Sequence, residues 1–274
     1  MRPKVVLIGD SLTQQGGLTH GWASLLAQHY QRKADVVNRG YSGYNTAWAG
    51  ATLFPPLVSE LSSQRVALAT LWFGANDAAL ADGASANQHV PLEQYAENLR
   101  GMVGELQRVA EHVVILTPPP VDDLARAAEQ RERTGDPGAP AERTDESAAR
   151  YAEACAKVRG GDPGRDGGGF AAPGRPLSRD PPRPPSLSHR GTPPARPPQV
   201  AADTGVGLLD VRAAFLTAPG GGWRSLLSDG LHLTPDGNRA VHDALVASLP
   251  ASCQPANLPL DLPLWSDLAA PASS

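Results

Sequence analysis

Val5-Val6-Leu7-Ile8-Gly9-Asp10-Ser11-Leu12 compresses an apolar run, a glycine, an acid and a hydroxyl into eight residues. Four consecutive aliphatic side chains cut off by Gly9 predict a short strand buried on both faces. A glycine there lets the chain turn sharply, and the serine that follows then stands at the carboxyl edge of a sheet. Ser11 reads in two ways at such a place, as an exposed reactive hydroxyl or as a plain helix cap. Runs of the same Val/Leu/Ile-rich character occur at 36–38, 66–73, 113–117 and 206–210, each bounded by Gly, Pro, Asp or Asn. Helical patterns lie between them. Leu92, Tyr95, Leu99, Met102, Leu106 and Val109 recur at spacings of 3, 4, 3, 4 and 3, one apolar stripe, with Pro91 suited to the first helical position. Thr234 followed by Pro235 predicts the start of a last helix that turns Ala240, Leu245 and Val246 inward. Strands alternating with helices predict a single three-layer α/β/α domain of flavodoxin-like type over 1–250, built on a parallel five-stranded sheet. Ligands of such sheets gather at the carboxyl ends of the strands.

The 274 residues are 41% hydrophobic and 19% charged, with a formal net charge of −4, which suits one domain with a substantial core. A pI near 6.0 gives no general attraction for polyanions, so no nucleic-acid partner is expected. Cys155 and Cys253 are too few for a disulfide framework and point to a reducing, cytoplasmic setting. The apolar run at 5–8 is too short for a signal peptide or a membrane span. Self-association into a homodimer is left open.

One stretch breaks the pattern. Residues 158–199 hold 11 Pro, 8 Gly and 7 Arg but only 3 Asp and neither Glu nor Lys. Such a segment buries too little surface to offset chain entropy and is expected to be a disordered insertion. Its ends suggest an origin. A retained intron read in frame begins with GT, hence a Val codon, and ends in AG, as the Gln codon CAG does; Val158 and Gln199 meet both conditions. Removing it would join Lys157 directly to Val200, and sequencing the transcript decides the matter. Closing a loop of this length costs only about 3 kcal/mol, within the roughly 5–15 kcal/mol stability of a domain. A folded core with a protruding loop is therefore expected. The tail at 251–274 is expected to pack on the domain or to be partly disordered.

The polar residues that carry chemistry sit where strands end. Besides Gly9-Asp10-Ser11-Leu12, they are Asn38-Arg39-Gly40-Tyr41-Ser42-Gly43-Tyr44-Asn45, Phe73-Gly74-Ala75-Asn76-Asp77 and, before the last helix, Ser228-Asp229-Gly230-Leu231-His232-Leu233. Each alone is explained by ordinary turn chemistry. Together and in order, Ser11, Gly43, Gly74-x-Asn76-Asp77 and Asp229-x-x-His232 resemble the four blocks of the SGNH (GDSL-type) hydrolases. The longer stretches, with Thr117-Pro118-Pro119-Pro120 and the tail from Leu258 to Trp265, look most like the isoamyl acetate-hydrolysing esterase group. The resemblance covers nearly all of the chain except 158–199.

The resemblance implies a serine ester hydrolase acting on small-molecule, short-chain carboxylic esters of the acetate type through an acyl-serine intermediate. Ser11 would be the nucleophile, His232 the base and then the acid, and Asp229 the carboxylate that orients the imidazole. The oxyanion would be held by the N–H groups of Ser11 and Gly43 and the amide of Asn76. Asp10 and Asp77 are read as organisers of the loops. Histidines 20, 29, 89, 112, 189 and 242 are read as surface or structural residues. Neither a metal-ligand spacing nor a glycine-rich phosphate loop occurs, so no metal or cofactor is expected. Within the same family, thioesterase, lysophospholipase and carbohydrate O-deacetylase activities, or an inactive binding scaffold, are the alternatives.

Overall fold

A computed structural model of the chain describes residues 2–158, 206–218 and 222–262. Apart from Val158, the expected disordered insertion lies outside the described residues. The five expected runs form β1 (Lys4–Gly9), β2 (Asp35–Gly40), β3 (Val66–Trp72), β4 (Val113–Leu116) and β5 (Gly207–Leu209). All pair in parallel, in the order β2-β1-β3-β4-β5. The chain leaves β1 toward β2 and then crosses back to β3 on the other side of β1. The order therefore reverses at β1, and a crevice opens at its carboxyl end, where Gly9 pairs with Gly40 and Trp72.

The described helices are α1 (Ser11–Gln15), α2 (Trp22–His29), α3 (Thr46–Trp48), α4 (Phe54–Leu61), α5 (Leu92–Leu106), α6 (Asp123–Thr134), α7 (Asp145–Val158), α8 (Val211–Leu216) and α9 (Pro235–Ser248). Alternation along β1 divides them into two layers. Val5 and Leu7 face a core with Trp22 and Leu26 of α2, Phe215 of α8, and Val241 and Leu245 of α9. Val6 and Ile8 face the opposite core, with Phe54 and Leu57 of α4, Leu99 and Met102 of α5, and Tyr151 and Cys155 of α7. Each such fully buried aliphatic or aromatic side chain contributes roughly 1.5–3 kcal/mol.

Helix boundaries differ from the sequence reading in small ways. Pro91 is the N-cap of α5, with extended ψ of 142°, and not its first helical residue. The helix ends at Leu106, so Val109 completes the stripe from the turn beyond it. Val158 still belongs to α7 and is buried in its core, so the helix runs one residue into the segment bounded at 158. In the tail, Cys253 and Leu258 join the α2/α9 core, and Tyr30 donates its hydroxyl to Cys253 O at 2.6 Å. Residues beyond 262 lie outside the described residues. Among the described residues no helix is long and apolar enough to cross a membrane.

Two contacts tie this frame to the serine. Trp22 donates its indole N–H to Leu12 O at 3.0 Å, and its backbone N–H to Asn238 Oδ1 at 3.0 Å, joining α1 and α2 to α9. The Trp22 ring meets Trp72 of β3 edge-on, with centroids 5.7 Å apart, at the centre of the same core.

Candidate active site

Ser11 opens α1, directly beyond the end of β1. Asp10 is the N-cap: its Oδ1 accepts the Leu12 N–H at 2.9 Å. The helix can fold back against the sheet because residue 9 has no side chain. A Cβ at Gly9 would lie 2.2 Å from Thr13 Oγ1 and 2.5 Å from Trp72 O, distances no larger residue tolerates. Ser11 is consequently almost fully buried, with its hydroxyl held at a fixed place over the crevice.

The partner of that hydroxyl is His232, whose Nε2 lies 2.9 Å from Ser11 Oγ. Nδ1 of the same ring lies 2.7 Å from Asp229 Oδ2. Burial alone would raise the Asp229 carboxyl. Hydrogen bonds from the His232 ring and backbone, with the charges of His232 and Arg126, instead hold it well below the usual carboxylate range. An ionised Asp229 only accepts, so Nδ1 carries the proton and Nε2 is left to accept the serine O–H.

The three-residue separation works because the loop bends on itself. Asp229 Oδ1 accepts the backbone N–H groups of Leu231 and His232 at 3.0 and 2.7 Å. Gly230 between them has φ of +82°, and a Cβ there would meet Arg126 N at 2.5 Å, so the bend needs a glycine.

Gly43 and Asn76 follow β2 and β3, the two strands that flank β1. Asn76 donates through Nδ2 to Tyr44 O at 2.9 Å and accepts at Oδ1 from Arg143 Nη2 at 2.9 Å. Among the described residues, the second Nδ2–H of Asn76 and the N–H groups of Ser11 and Gly43 have no partner within the protein. The two loops are joined by Asp77, whose Oδ1 accepts both the N–H and the hydroxyl of Thr46, at 2.9 and 2.5 Å. Asp10 and Asp77 are fully buried. Burial pushes their carboxyls up to about 7 and about 6, against the hydrogen bonds that lower them.

All five residues singled out in the sequence thus lie at the carboxyl ends of β1, β2 and β3 or in the loop that reaches over them. A second set was not foreseen. Arg126 of α6 donates to Asp229 Oδ2 at 2.7 Å and to Glu142 Oε1 at 2.5 Å. Glu142 also pairs with Arg143 at 2.9 Å, and both are almost fully buried. These residues sit in a charged stretch with no recognisable spacing, and only their burial distinguishes them. His89 Nδ1 lies 2.6 Å from Ala79 O, His112 Nε2 2.8 Å from Ser252 Oγ and His242 Nδ1 2.7 Å from Asp243 Oδ1; His189 lies outside the described residues. Among the described residues no cluster of three or more His, Cys, Asp or Glu could hold a metal ion.

A buried serine, a part-buried imidazole and a carboxylate lie in one hydrogen-bonded line at the switch point of a parallel sheet. The chain belongs to the GDSL-like lipase/acylhydrolase family, whose model matches residues 5–245. It is 35% identical over 273 residues to a GDSL esterase/lipase of Arabidopsis thaliana, covering 98% of this chain and 94% of that protein. It is likewise 35% identical over 271 residues to the isoamyl acetate-hydrolyzing esterase 1 homolog of Bos taurus, covering 97% and 88%. Among solved structures, the acetyl xylan esterase AlAXEase superposes with a TM-score of 0.60 at 17% identity, over 90% of this chain and all of that one. Axe2 of Geobacillus stearothermophilus, an acetylxylan esterase, gives 0.56 at 17% identity, over 90% and 93%. These two establish the fold; the family establishes that the protein is a carboxylic ester hydrolase.

Proposed function

We propose that the protein cleaves short-chain carboxylic esters of the acetate type, isoamyl acetate among them, through an acyl-serine intermediate. The observation that carries this reading is the line Ser11 Oγ, His232 Nε2, His232 Nδ1, Asp229 Oδ2, with separations of 2.9 and 2.7 Å at its two hydrogen bonds. As Ser11 Oγ attacks the ester carbonyl carbon, its proton passes to Nε2, and Asp229 stabilises the imidazolium. The negative oxygen of the tetrahedral intermediate takes hydrogen bonds from the Ser11 N–H, the Gly43 N–H and Asn76 Nδ2. Nε2 then returns the proton to the leaving alcohol oxygen as the ester C–O bond breaks. Water repeats the cycle on the acyl-serine, giving its proton to Nε2 and releasing the acid and free Ser11.

The acetate preference rests on the similarity to the isoamyl acetate-hydrolyzing esterase homologs. A cytoplasmic setting fits the two free, buried cysteines, whose thiols burial pushes up to about 12. The test is a panel of p-nitrophenyl esters of rising acyl length, isoamyl acetate, an acyl-CoA and an acetylated sugar, with wild type and Ser11→Ala. Fastest turnover on the acetate, abolished in Ser11→Ala, is expected. Acyl-CoA or acetyl-sugar turnover well above that of simple acetates would replace the reading by thioesterase or deacetylase activity. A fluorophosphonate that leaves Ser11 unlabelled would replace it by a binding scaffold.

A further inference from the structure

We propose that Arg143 is a positioning residue for the oxyanion site, resting on the reading of Asn76 and Gly43 given above. An asparagine amide can turn over, exchanging its oxygen and nitrogen at little intrinsic cost. If it did so here, an acceptor oxygen would face the negative oxygen of the intermediate and repel it. Two neighbours forbid the exchange. Arg143 Nη2, which only donates, requires Oδ1 on its side; the Tyr44 carbonyl, which only accepts, requires Nδ2 on the other. With both satisfied, the remaining polar hydrogen of the Asn76 amide is a donor. A guanidinium on Oδ1 also draws electron density through the amide and strengthens that N–H as a donor.

The same nitrogen of Arg143 reaches the second donor. Nη2 donates to Gln88 Oε1 at 2.5 Å, and Gln88 Nε2 donates to Gly43 O at 3.1 Å. Gln88 O in turn accepts from Asn45 Nδ2 at 2.9 Å, so the loop after β2 is held at two points. Arg143 itself is fixed from behind: its Nε donates to Ala75 O at 2.8 Å, and Glu142, 1% exposed, pairs with its Nη1. One buried cation therefore stands behind both flanking loops, directly at Asn76 and through Gln88 at Gly43. A residue filling space alone would not place a donor on each of these acceptors.

The experiment is a steady-state double-mutant cycle on the full chain, with p-nitrophenyl acetate as substrate, comparing wild type, Asn76→Ala, Arg143→Met and the double variant. The expected result is that Arg143→Met lowers kcat about 10²-fold while KM stays within about twofold. The double variant should be slower than Asn76→Ala by no more than about tenfold, well short of the full Arg143→Met factor, because the share that runs through Asn76 is already lost and only the share through Gln88 at Gly43 remains. Full kcat in Arg143→Met alongside a crippled Asn76→Ala overturns the proposal and leaves the oxyanion reading standing. Losses that multiply in the double variant also overturn it, since they assign Arg143 an independent structural role. Full kcat in Asn76→Ala overturns both. Should Arg143→Met not fold, Arg143→Lys, which keeps the charge beside Glu142, carries the same cycle. A Lys ammonium can donate to both Oδ1 and Gln88, as the single Nη2 does, but it lacks the Nε bond to Ala75 O that fixes the head from behind, so its kcat should fall between wild type and Asn76→Ala.

Discussion

The loop that carries Asp229 and His232 is braced largely from within a dozen residues, with α6 its distant support through Arg126 and Asp122, whereas the loops that carry Gly43 and Asn76 are held from far along the chain. In the first, Asp229 caps the two N–H groups that follow it, Ser228 N donates to His232 O at 2.8 Å, and Leu227 bridges Leu233. In the second, Asn76 is set by Tyr44 and Arg143, 32 and 67 positions away, and Gly43 by Gln88, 45 positions away. A proton relay needs two short hydrogen bonds in line, which one self-bracing loop delivers to the serine. An oxyanion site needs donors converging from both sides of that serine. Since the strands on those sides are separated in sequence, only long-range contacts can fix them.

The largest expected effect falls on the self-bracing side. His232→Ala should lower kcat by roughly 10⁴–10⁶-fold with the thermal transition nearly unmoved, because the ring is part-buried and the loop is braced by Asp229 Oδ1 on the backbone. Ester hydrolysis and a thermal melt check this together. A collapse of the fold in this variant would show that the ring itself supports the loop.

Asn76→Ala comes next, with a loss of about 10²–10³-fold in kcat and little change in KM. It also strands Arg143 Nη2 and Tyr44 O in a buried setting, so the melt should fall as well, by about 1–3 kcal/mol of stability. A variant that lost stability but kept turnover would move Asn76 from the reacting atoms to the frame.

This contrast also explains what could be read from the chain. The five strands were legible because each falls in a short Val/Leu/Ile-rich run bounded by turn residues, and the layers followed because β1 alternates between two cores. Ser11, Gly43, Asn76, Asp229 and His232 were legible because their four blocks, together and in order, resemble those of a known family; alone, each passes for turn chemistry. Arg126, Glu142 and Arg143 were not. A buried arginine and an exposed one look alike in sequence, and nothing local announces that Glu142 will seat two of them. Their partners are chosen by how α6 and the approach to α7 lie over the sheet edge, which no nearby spacing encodes.

Each side also rests on one buried carboxyl, and pH separates them. Burial raises Asp10, beside Ser11, to about 7, and Asp77, between the oxyanion loops, to about 6, the latter opposed by two hydrogen bonds from Thr46. Both values lie above the ordinary 3.8, so between that pH and the raised value the folded protein keeps a proton the unfolded chain has released. Stability therefore falls as pH rises through that window, and the loss is complete above it. Asp10→Asn removes this dependence. Relative to wild type the variant should gain stability from about pH 4 to about pH 7, by at most about 4 kcal/mol, and run parallel above. Urea melts between pH 4 and pH 9 measure it. A difference that stays constant with pH would mean that Asp10 is ionised throughout, and that the Leu12 N–H and the His232 charge outweigh burial.

The smallest effect tests whether the histidine loop truly braces itself. Thr234 Oγ1 accepts the Gly237 N–H at 3.2 Å as the cap of α9 and donates to Ser225 O at 3.0 Å, clamping the far side of the loop. Thr234→Ala removes both, and the lost cap should lower stability by about 1 kcal/mol. Turnover should change less than about threefold, because Asp229 and the Ser228–His232 backbone bond remain to set the ring against Ser11. If kcat fell by tenfold or more with the same modest loss of stability, the imidazole would be positioned by the helix start rather than by its own loop. The two halves of the reaction centre would then both depend on contacts made outside the segments that carry them.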